Sequence, residues 1–173
     1  MNLLSLNVNG FGKGDFKYSW VAKLINTHKV IFAGIQETKR KGFTDFKIYQ
    51  IWGSVDFDYV FQSSIGKRGG LLSVWNKNLF SKSMVLQIKD CLIVQGIWLE
   101  TNKPMCFINV YAGQSLTVRE DLWNYISCVL QNWNGISMVF GDFNEVRNQE
   151  ERRGSQFDGR AAKNSINSSI ETV

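Results

Sequence analysis

One stretch constrains the fold of this chain more than any other: residues 136–144, which read Ile-Ser-Met-Val-Phe-Gly-Asp-Phe-Asn. Its apolar, β-favouring first half predicts a buried strand, and the chain becomes abruptly polar after Gly141. In an extended segment Asp142 and Asn144 point to the same side, just beyond a strand end, where α/β sheets commonly present ligands. Because Gly, Asp and Asn also favour turns, an ordinary turn is the alternative interpretation of this stretch.

The composition is that of one globular domain. With 173 residues, 44% of them apolar, and a single proline, the chain can bury a sizeable core and is too apolar to be disordered. We expect residues 1–173 to form one domain and residues 147–173 to be a polar, poorly anchored tail. Within that region, residues 145–153 are predicted to be a solvated loop and residues 160–173 a weak helix.

The charge is distributed unevenly along the chain. The net charge is +5, but residues 1–86 carry 12 basic and 5 acidic side chains, whereas residues 87–173 carry 8 and 10. A basic first half permits an anionic partner such as nucleic acid, and it is equally compatible with solvated lysines. The pair Lys67-Arg68, which precedes two glycines, is open to the same two interpretations, a phosphate contact or a charged turn.

Cysteine usage and hydropathy favour an intracellular, water-soluble protein. Cys91, Cys106 and Cys128 are flanked by apolar residues and lack the spacing of metal ligands, so we expect reduced cysteines in the core. The first residues lack the features of a signal peptide. No stretch approaches the ~20 apolar residues that a membrane span needs.

Two helices are predicted from apolar stripes at helical spacing. The first covers residues 16–28, with a stripe formed by Trp20, Val21, Leu24 and Ile25. The second follows Thr117-Val-Arg-Glu120, which matches a capping box, and its stripe runs from Leu122 to Trp133. His28, the only histidine of the chain, falls at the end of the first helix, and nothing predicts a carboxylate or nucleophile beside it.

Short β-like runs separated by turn residues occupy most of the remaining chain. Strands are predicted at residues 3–9, 30–35, 46–52, 59–62, 71–75, 84–88, 91–99, 105–111 and 136–140. This spacing is too short for a simple repeat of βαβ units. It therefore predicts antiparallel ladders within a mixed sheet system.

Polar side chains follow four of the predicted strands: Asn7, Glu37, Tyr111, and Asp142 together with Asn144. Each of them has a simpler explanation when it is considered alone. Asn7 and the pair at 142 and 144 are compatible with loop chemistry, Glu37 with an exposed acid, and Tyr111 with a half-buried ring whose hydroxyl meets water. Only their recurrence at strand ends points to a shared site.

In this order and spacing the motifs resemble the endonuclease/exonuclease/phosphatase superfamily. The matching strings are Leu-Asn-Val-Asn-Gly at 6–10, Gln-Glu-Thr-Lys at 36–39, Asn-Val-Tyr-Ala at 109–112 and Gly-Asp-Phe-Asn at 141–144. Two further strings, Gly-Gly-Leu-Leu-Ser-Val-Trp at 69–75 and Asn-Glu-Val-Arg at 144–147, are most similar to the apurinic/apyrimidinic-type endonuclease domain of LINE-type (non-LTR) retrotransposons. The resemblance covers essentially the whole chain.

The resemblance implies an α+β fold of the DNase I-like kind, a two-sheet β-sandwich flanked by helices with the active site at one end of the sheets. It implies a nuclease that depends on Mg²⁺ or Mn²⁺ and nicks DNA to supply a primer for reverse transcription. The implied partner is the DNA phosphate backbone, with no membrane and no small-molecule cofactor. An intracellular monomer is expected, nuclear if it is functional and otherwise cytoplasmic.

The resemblance also implies a role for each polar residue at the strand ends. Glu37 would bind the metal, and Asn7 would support the metal or the phosphate. Tyr111 would hold a phosphate oxygen. Asp142 would orient and help deprotonate the attacking water, while Asn144 would stabilise the pentavalent phosphate.

Two basic residues near these motifs, Lys39 and Arg68, are the predicted nucleic-acid contacts. The implied chemistry is consistent with the residue types. Cleavage of a phosphodiester adds negative charge to oxygens that are already charged, so a hard cation is a suitable Lewis acid. Mg²⁺ prefers oxygen ligands, few protein carboxylates and several retained waters, which Glu37 and Asp142 could satisfy.

The chain departs from the family pattern after residue 144. The later strands, a second Asp-centred motif and a terminal Ser-Asp-His do not occur before Val173, and Gly113 stands where the family usually has proline. We therefore expect a sandwich incomplete at its C-terminus, an exposed sheet edge and no activity from this chain alone. The alternatives are a non-catalytic retroelement remnant and a phosphatase of the same superfamily.

Overall fold

The structure, a computed structural model, describes residues 1–12, 14, 16–66 and 68–144. The predicted solvated loop at 145–153, the weak helix at 160–173 and the tail at 147–173 lie outside these residues. In chain order the strands are β1 (Leu3–Asn7), β2 (Phe32–Gln36), β3 (Phe57–Gln62), β4 (Leu71–Asn76), β5 (Phe80–Ile88), β6 (Cys91–Trp98), β7 (Lys103–Tyr111) and β8 (Ile136–Asp142). The helices are α1 (Phe16–Thr27), α2 (Asp45–Trp52) and α3 (Leu116–Gln131).

The strands form two four-stranded sheets, each with one parallel pair. The first sheet has the order β1-β2-β4-β3, in which β1 and β2 are parallel and the other pairs antiparallel. The second has the order β5-β6-β7-β8, in which only β7 and β8 are parallel. The predicted mixed sheet system flanked by helices is confirmed. Each parallel pair ends in two of the polar motifs.

The core between the sheets is dominated by aromatic rings. Phe32 of β2 stacks on Phe107 of β7 with ring centroids 4.0 Å apart, and on Trp75 of β4 with centroids 5.5 Å apart. Phe140 of β8 reaches across to Gly34 of β2, where a Cβ would lie 2.1 Å from the ring atom Cε2. The absence of a side chain at residue 34 therefore lets the two sheets approach closely at this point.

Residues 45–52 form helix α2, so the strand predicted at 46–52 is wrong. The side chain of Thr44 caps the helix by accepting from the N–H of Lys47, and Gly53 ends it in the left-handed conformation with a bond to the Tyr49 carbonyl. Ile48, Ile51 and Trp52 are buried at helical spacing. Several β-favouring side chains in this segment made its sequence resemble a strand. Packing of the buried face against α1 stabilises the helix instead.

Two finer predictions about the helices are wrong. Trp20 is 40% exposed, and Tyr18 occupies the buried face of α1 beside Val21 instead. Helix α3 begins at Leu116 after Ser115, without a side-chain cap, so Thr117 is not the first cap of a capping box. The apolar stripe of α3 is confirmed, because Leu122 and Ile126 are buried against the second sheet.

Strand β8 was predicted to be buried, but it lies at the edge of the second sheet in the described part of the chain. Ile136 and Val139 are exposed, because no strand among the described residues pairs with the outer side of β8.

Cys128, on the outer face of α3, is also exposed, which corrects the prediction that all three cysteines are core residues. Cys91 and Cys106 are buried, and burial raises the pKa of Cys91 to about 12. Among the described residues, no helix is both long and apolar enough to cross a membrane.

The close approach of the sheets at Gly34 can be tested by substitution. Gly34→Ala is expected to lower the free energy of unfolding by about 1–3 kcal/mol, the usual cost of overpacking a core. Urea unfolding measures the change. Gly14→Ala is the control, since a Cβ there would meet nothing within 4 Å. A Gly34→Ala variant as stable as this control would contradict the packing described here.

Candidate active site

The two parallel strand pairs bring the predicted site residues to one rim of the sandwich. In the first sheet Asn7 is in register with Gln36, next to Glu37, and in the second Tyr111 is in register with Asp142. Two hydrogen bonds then cross between the sheets. Asn7 Nδ2 donates to Asp142 Oδ2 at 2.7 Å, and the Tyr111 hydroxyl donates to Glu37 Oε1 at 2.5 Å. Side chains up to 135 residues apart in sequence are thus in direct contact.

Asp142 is held at the end of β8 by a glycine and a tight turn. Gly141 has φ +146°, and a Cβ on it would lie 2.0 Å from the Val110 carbonyl oxygen, so only glycine fits here. Asp142 Oδ1 accepts the N–H of Asn144 at 3.0 Å, and Asn144 Nδ2 donates to the Ala112 carbonyl at 2.6 Å. Asn144 has φ +50°, so the chain is extended only as far as Asp142, and the prediction that Asn144 continues the extended segment is wrong. The turn itself aims the carboxylate.

Glu37 begins a left-handed turn directly after β2. Its φ is +53° and that of Lys39 is +52°, conformations that few residues other than glycine adopt. Glu37 Oε2 lies 3.9 Å from Lys39 Nζ, which also donates a hydrogen bond to Asn9 Oδ1. The Glu37 carbonyl accepts the N–H of Gly10 at 2.6 Å. The loops after β1 and β2 are therefore tied together by both backbone and side chains.

Tyr111 remains a hydrogen-bond donor over the physiological pH range. Burial is the largest cause that raises the pKa of its phenol above the ordinary value, followed by the hydrogen bond to Glu37 and the charges of Glu37 and Asp142. The positive charge of Arg68 acts in the opposite direction. The phenol can therefore offer its proton to Glu37, or to an oxygen of a bound phosphate, without ionising.

An open cleft of about 660 Å³ adjoins these residues. Glu37, Tyr111 and Asn144 contribute to its lining. Basic residues that also line it are Lys39, Lys89 and Arg68. Both predicted nucleic-acid contacts thus lie on the cleft beside the candidate site, where three basic side chains outnumber the carboxylates of Glu37 and Asp90.

The donor set fits a hard divalent cation. The rim offers the carboxylates of Glu37 and Asp142 and the amide oxygen of Asn7, all of them oxygen donors. Within the described ranges, no group of three or more His, Cys, Asp or Glu side chains is placed so that it could hold a metal ion. His28 is exposed and lies beyond α1, away from this rim.

Three residues that support the site were not assigned a role from the sequence. Asn9 links Lys39 to the β1 loop. Lys17 Nζ donates to the carbonyls of Val8 at 2.6 Å and Gly10 at 2.8 Å, which fixes the loop that carries Asn9. Asn109 lies buried below Tyr111 and bonds across the sheets. A polar residue inside an otherwise apolar strand was the available signal for Asn109. No comparable signal marks Lys17.

No protein-family model matches this chain, and no curated protein is significantly similar to it in sequence. Solved structures match it by fold. An AP endonuclease from Archaeoglobus fulgidus has a TM-score of 0.65 at 16% identity, covering 95% of this chain and 69% of that structure. An endonuclease/exonuclease/phosphatase family protein from Bacteroides thetaiotaomicron has a TM-score of 0.61 at 13% identity, covering 82% of this chain and 61% of that structure.

A third match is TDP2 from D. rerio, complexed with a single-strand DNA product, with a TM-score of 0.60 at 11% identity over 83% of this chain and 60% of that structure. The chain thus spans less than two thirds of two of the three structures. Two mixed sheets flanked by helices define the DNase I-like fold, and this chain has it. The fold prediction is confirmed, and its neighbours are endonuclease/exonuclease/phosphatase proteins. The LINE-type assignment and the individual residue roles stay predictions.

The bond between Tyr111 and Glu37 predicts a specific pH dependence. Tyr111→Phe is expected to cost about 1.5–3 kcal/mol at neutral pH, as for a hydrogen bond to a charged group. Because the folded-state pKa of Tyr111 is raised, the unfolded chain loses the phenolic proton first as the pH rises above about 10. The stability difference between wild type and Tyr111→Phe, measured by urea unfolding, should therefore shrink at strongly alkaline pH. A difference that grows with pH would contradict this assignment.

Proposed function

We propose that this chain carries the metal- and phosphate-binding part of a divalent-metal-dependent DNA endonuclease of the LINE retrotransposon type. The observation that carries the proposal is the pair of cross-sheet bonds, Asn7 to Asp142 and Tyr111 to Glu37. They collect two carboxylates, an amide and a phenol at one rim, beside a cleft with basic residues. These are the groups that hydrolysis of a phosphodiester requires.

Each residue has a distinct task in this proposal. Glu37, with the amide oxygen of Asn7, would hold the Mg²⁺ or Mn²⁺ ion, which would supply Lewis-acid stabilisation of the phosphate when bound. Asp142 would orient a water and accept its proton, and the hydrogen bonds from Asn7 and Asn144 keep its carboxylate in one orientation. Tyr111 would donate to a phosphate oxygen.

Asn144 would contribute to the same transition state through its carboxamide. Its position is fixed by two bonds, from its N–H to Asp142 and from its Nδ2 to the Ala112 carbonyl. The carboxamide is therefore preorganised in the structure described here. Such preorganised groups stabilise developing charge without a cost of reorganisation during the reaction.

DNA is the partner that the charge of the cleft favours. Lys39, Arg68 and Lys89 line the same cleft as the carboxylates of Glu37 and Asp90, which leaves an excess of one positive charge. Several cations on one open cleft suit the phosphates of a backbone better than one small phosphoester. A phosphatase acting on small phosphoesters is the alternative function, and the metal site would be shared by both.

Metal binding at Glu37 can be measured without any activity. Mg²⁺ at 100 times its dissociation constant would stabilise the folded state by about 2.7 kcal/mol, which raises the melting temperature by roughly 2–4 °C per kcal/mol in a chain of this size. Glu37→Gln should abolish most of this shift. Glu120→Gln, at an exposed position of α3, is the matched control and should keep it. Equal shifts in both variants would refute the metal assignment.

A polypeptide of these 173 residues is expected not to nick supercoiled plasmid DNA. Its only histidine, His28, lies away from the rim, and the loss of one positioned acid–base group costs roughly 10²–10⁴ in rate. A plasmid-nicking assay with Mg²⁺ checks this, with a small phosphomonoester as a second substrate. Robust nicking that Glu37→Gln abolishes would contradict the expected inactivity. Hydrolysis of the monoester alone would favour the phosphatase.

A further inference from the structure

The loop after β1 turns three of its main-chain carbonyls toward one point, and an ammonium group occupies that point. The ammonium belongs to Lys17, in the first turn of α1. Its Nζ donates to the carbonyls of Val8 at 2.6 Å, Gly10 at 2.8 Å and Asn9 at 3.4 Å. A lysine has three protons to donate, so the loop uses all of them. Among the described residues, Lys17 makes no ion pair with a carboxylate.

The backbone conformation of the loop explains why these carbonyls converge. Asn9 has φ +47° and Gly10 has φ +84°, so two consecutive residues have positive φ. The N–H groups of the loop face the segment after β2, where Val8 donates to the Gln36 carbonyl at 3.1 Å and Gly10 to the Glu37 carbonyl at 2.6 Å. The carbonyls of the loop need a partner of their own, and converging carbonyl oxygens suit a monovalent cation.

The position of Lys17 is unfavourable for the helix that carries it. The N-terminal end of a helix has a partial positive charge, which a lysine in the first turn opposes. The first turn of α1 contains no acidic side chain. Conflicts between local preference and tertiary structure are expected at functional positions. The ammonium therefore serves the loop rather than the helix.

The same loop carries the amide that the proposed metal site uses. The N–H of Asn9 donates to Asn7 Oδ1 at 2.9 Å, and Asn7 Nδ2 donates to Asp142 Oδ2 at 2.7 Å. The side chain of Asn9 accepts a hydrogen bond from Lys39, which lines the cleft. The bonds of Lys17 all go to carbonyls of the loop. It therefore influences the candidate site only through the backbone of this loop.

We propose that the carbonyls of residues 8–10 form a cage for a monovalent cation, and that the Lys17 ammonium occupies this cage in place of a free ion. Lys17 is then a positioning residue, because it fixes the loop that presents Asn7 to the divalent metal. The positioning role rests on the proposed metal site, whereas the cage does not. If the lysine is removed, a free ion of similar size and charge, NH₄⁺ or K⁺, should bind the same carbonyls.

The cage can be tested without Mg²⁺, from the melting temperature of Lys17→Ala. Alanine leaves the carbonyls vacant, and it does not weaken α1 because it is the best helix former. Replacing tetramethylammonium chloride by NH₄Cl or KCl at constant ionic strength should raise the melting temperature of this variant by several degrees. Tetramethylammonium is too large to reach three converging carbonyls. The wild type, whose cage is filled, should show no such rise.

Lys23→Ala is the matched control, because Lys23 is an exposed lysine of the same helix. This control should respond to the salts as the wild type does. A response of Lys17→Ala no larger than that of the control would overturn the cage. Folding of Lys17→Ala only in NH₄⁺ or K⁺ would support it, and failure to fold in any of these salts would count against it.

The positioning role is measured on Lys17→Met, which keeps the aliphatic stem but has neither a charge nor a donor. Loss of a group that orients a metal ligand weakens metal binding by roughly 10–100-fold. We therefore expect the Mg²⁺ dissociation constant, measured from the Mg²⁺-dependent rise in melting temperature, to increase about tenfold. A lysine that acted only by charge repulsion would have the opposite effect, because its removal would tighten Mg²⁺ binding. In Lys17→Ala, NH₄⁺ should restore most of the lost affinity.

The outcomes separate this inference from the proposed function. A wild type without any Mg²⁺-dependent rise in melting temperature would overturn the proposed metal site, and the positioning role with it, but not the cage. An unchanged or tighter Mg²⁺ affinity in Lys17→Met would overturn the positioning role and leave the metal site standing. A melting temperature of Lys17→Ala that does not respond to NH₄⁺ would overturn the cage alone.

Discussion

A buried pair of carboxamides holds the two sheets in the one register that makes the rim possible. Gln36 Nε2 donates to Asn109 Oδ1 at 2.8 Å, and Asn109 Nδ2 donates to the Leu72 carbonyl at 3.1 Å, all within the closed core. Sliding one sheet over the other would leave these amides unpaired, at about 1–3 kcal/mol for each group. Gln36 precedes Glu37, and Asn109 lies two residues before Tyr111. The core pair therefore also sets the contact between phenol and carboxylate above it.

Four of the seven non-glycine residues with positive φ in the described part of the chain lie at the rim. They are Asn9, Glu37, Lys39 and Asn144, each with φ close to +50°. Such conformations cost of order 1–3 kcal/mol each and persist only where surrounding bonds determine them. Here those bonds are visible: Asn144 bonds to Asp142, and Lys39 bonds to Asn9 and, through its backbone, to Gly69. The core stabilises a rim that the loops alone would not adopt.

The sequence predicted what depends on local pattern and missed what depends on packing. Period-two alternation and turn residues located most strands, and the polar strand ends identified Asn7, Glu37, Tyr111 and Asp142. The helix at 45–52 was missed, because its β-favouring side chains are buried against α1 and the capping by Thr44 was not recognised. The burial of Tyr18 in place of Trp20 likewise depends on neighbours distant in sequence. A hydrogen bond between residues 135 positions apart, such as that from Asn7 to Asp142, cannot be read from any local sequence pattern.

The hydrogen bonds at the rim orient the carboxylates and leave them able to bind a cation. Each carboxylate has about four lone-pair sites, and the described bonds use two of those on Asp142, from Asn7 and Asn144. On Glu37, one lone pair accepts the hydrogen bond from the Tyr111 hydroxyl, and the carboxylate also lies near Lys39. The remaining lone pairs are available to an ion that keeps most of its waters. The N–H groups of Thr38 and Lys39 donate to the carbonyls of Gly70 and Gly69, so the loop after Glu37 is also tied to the turn that precedes β4. The position of the Glu37 carboxylate is therefore set by the backbone of two neighbouring loops as well as by its own hydrogen bond.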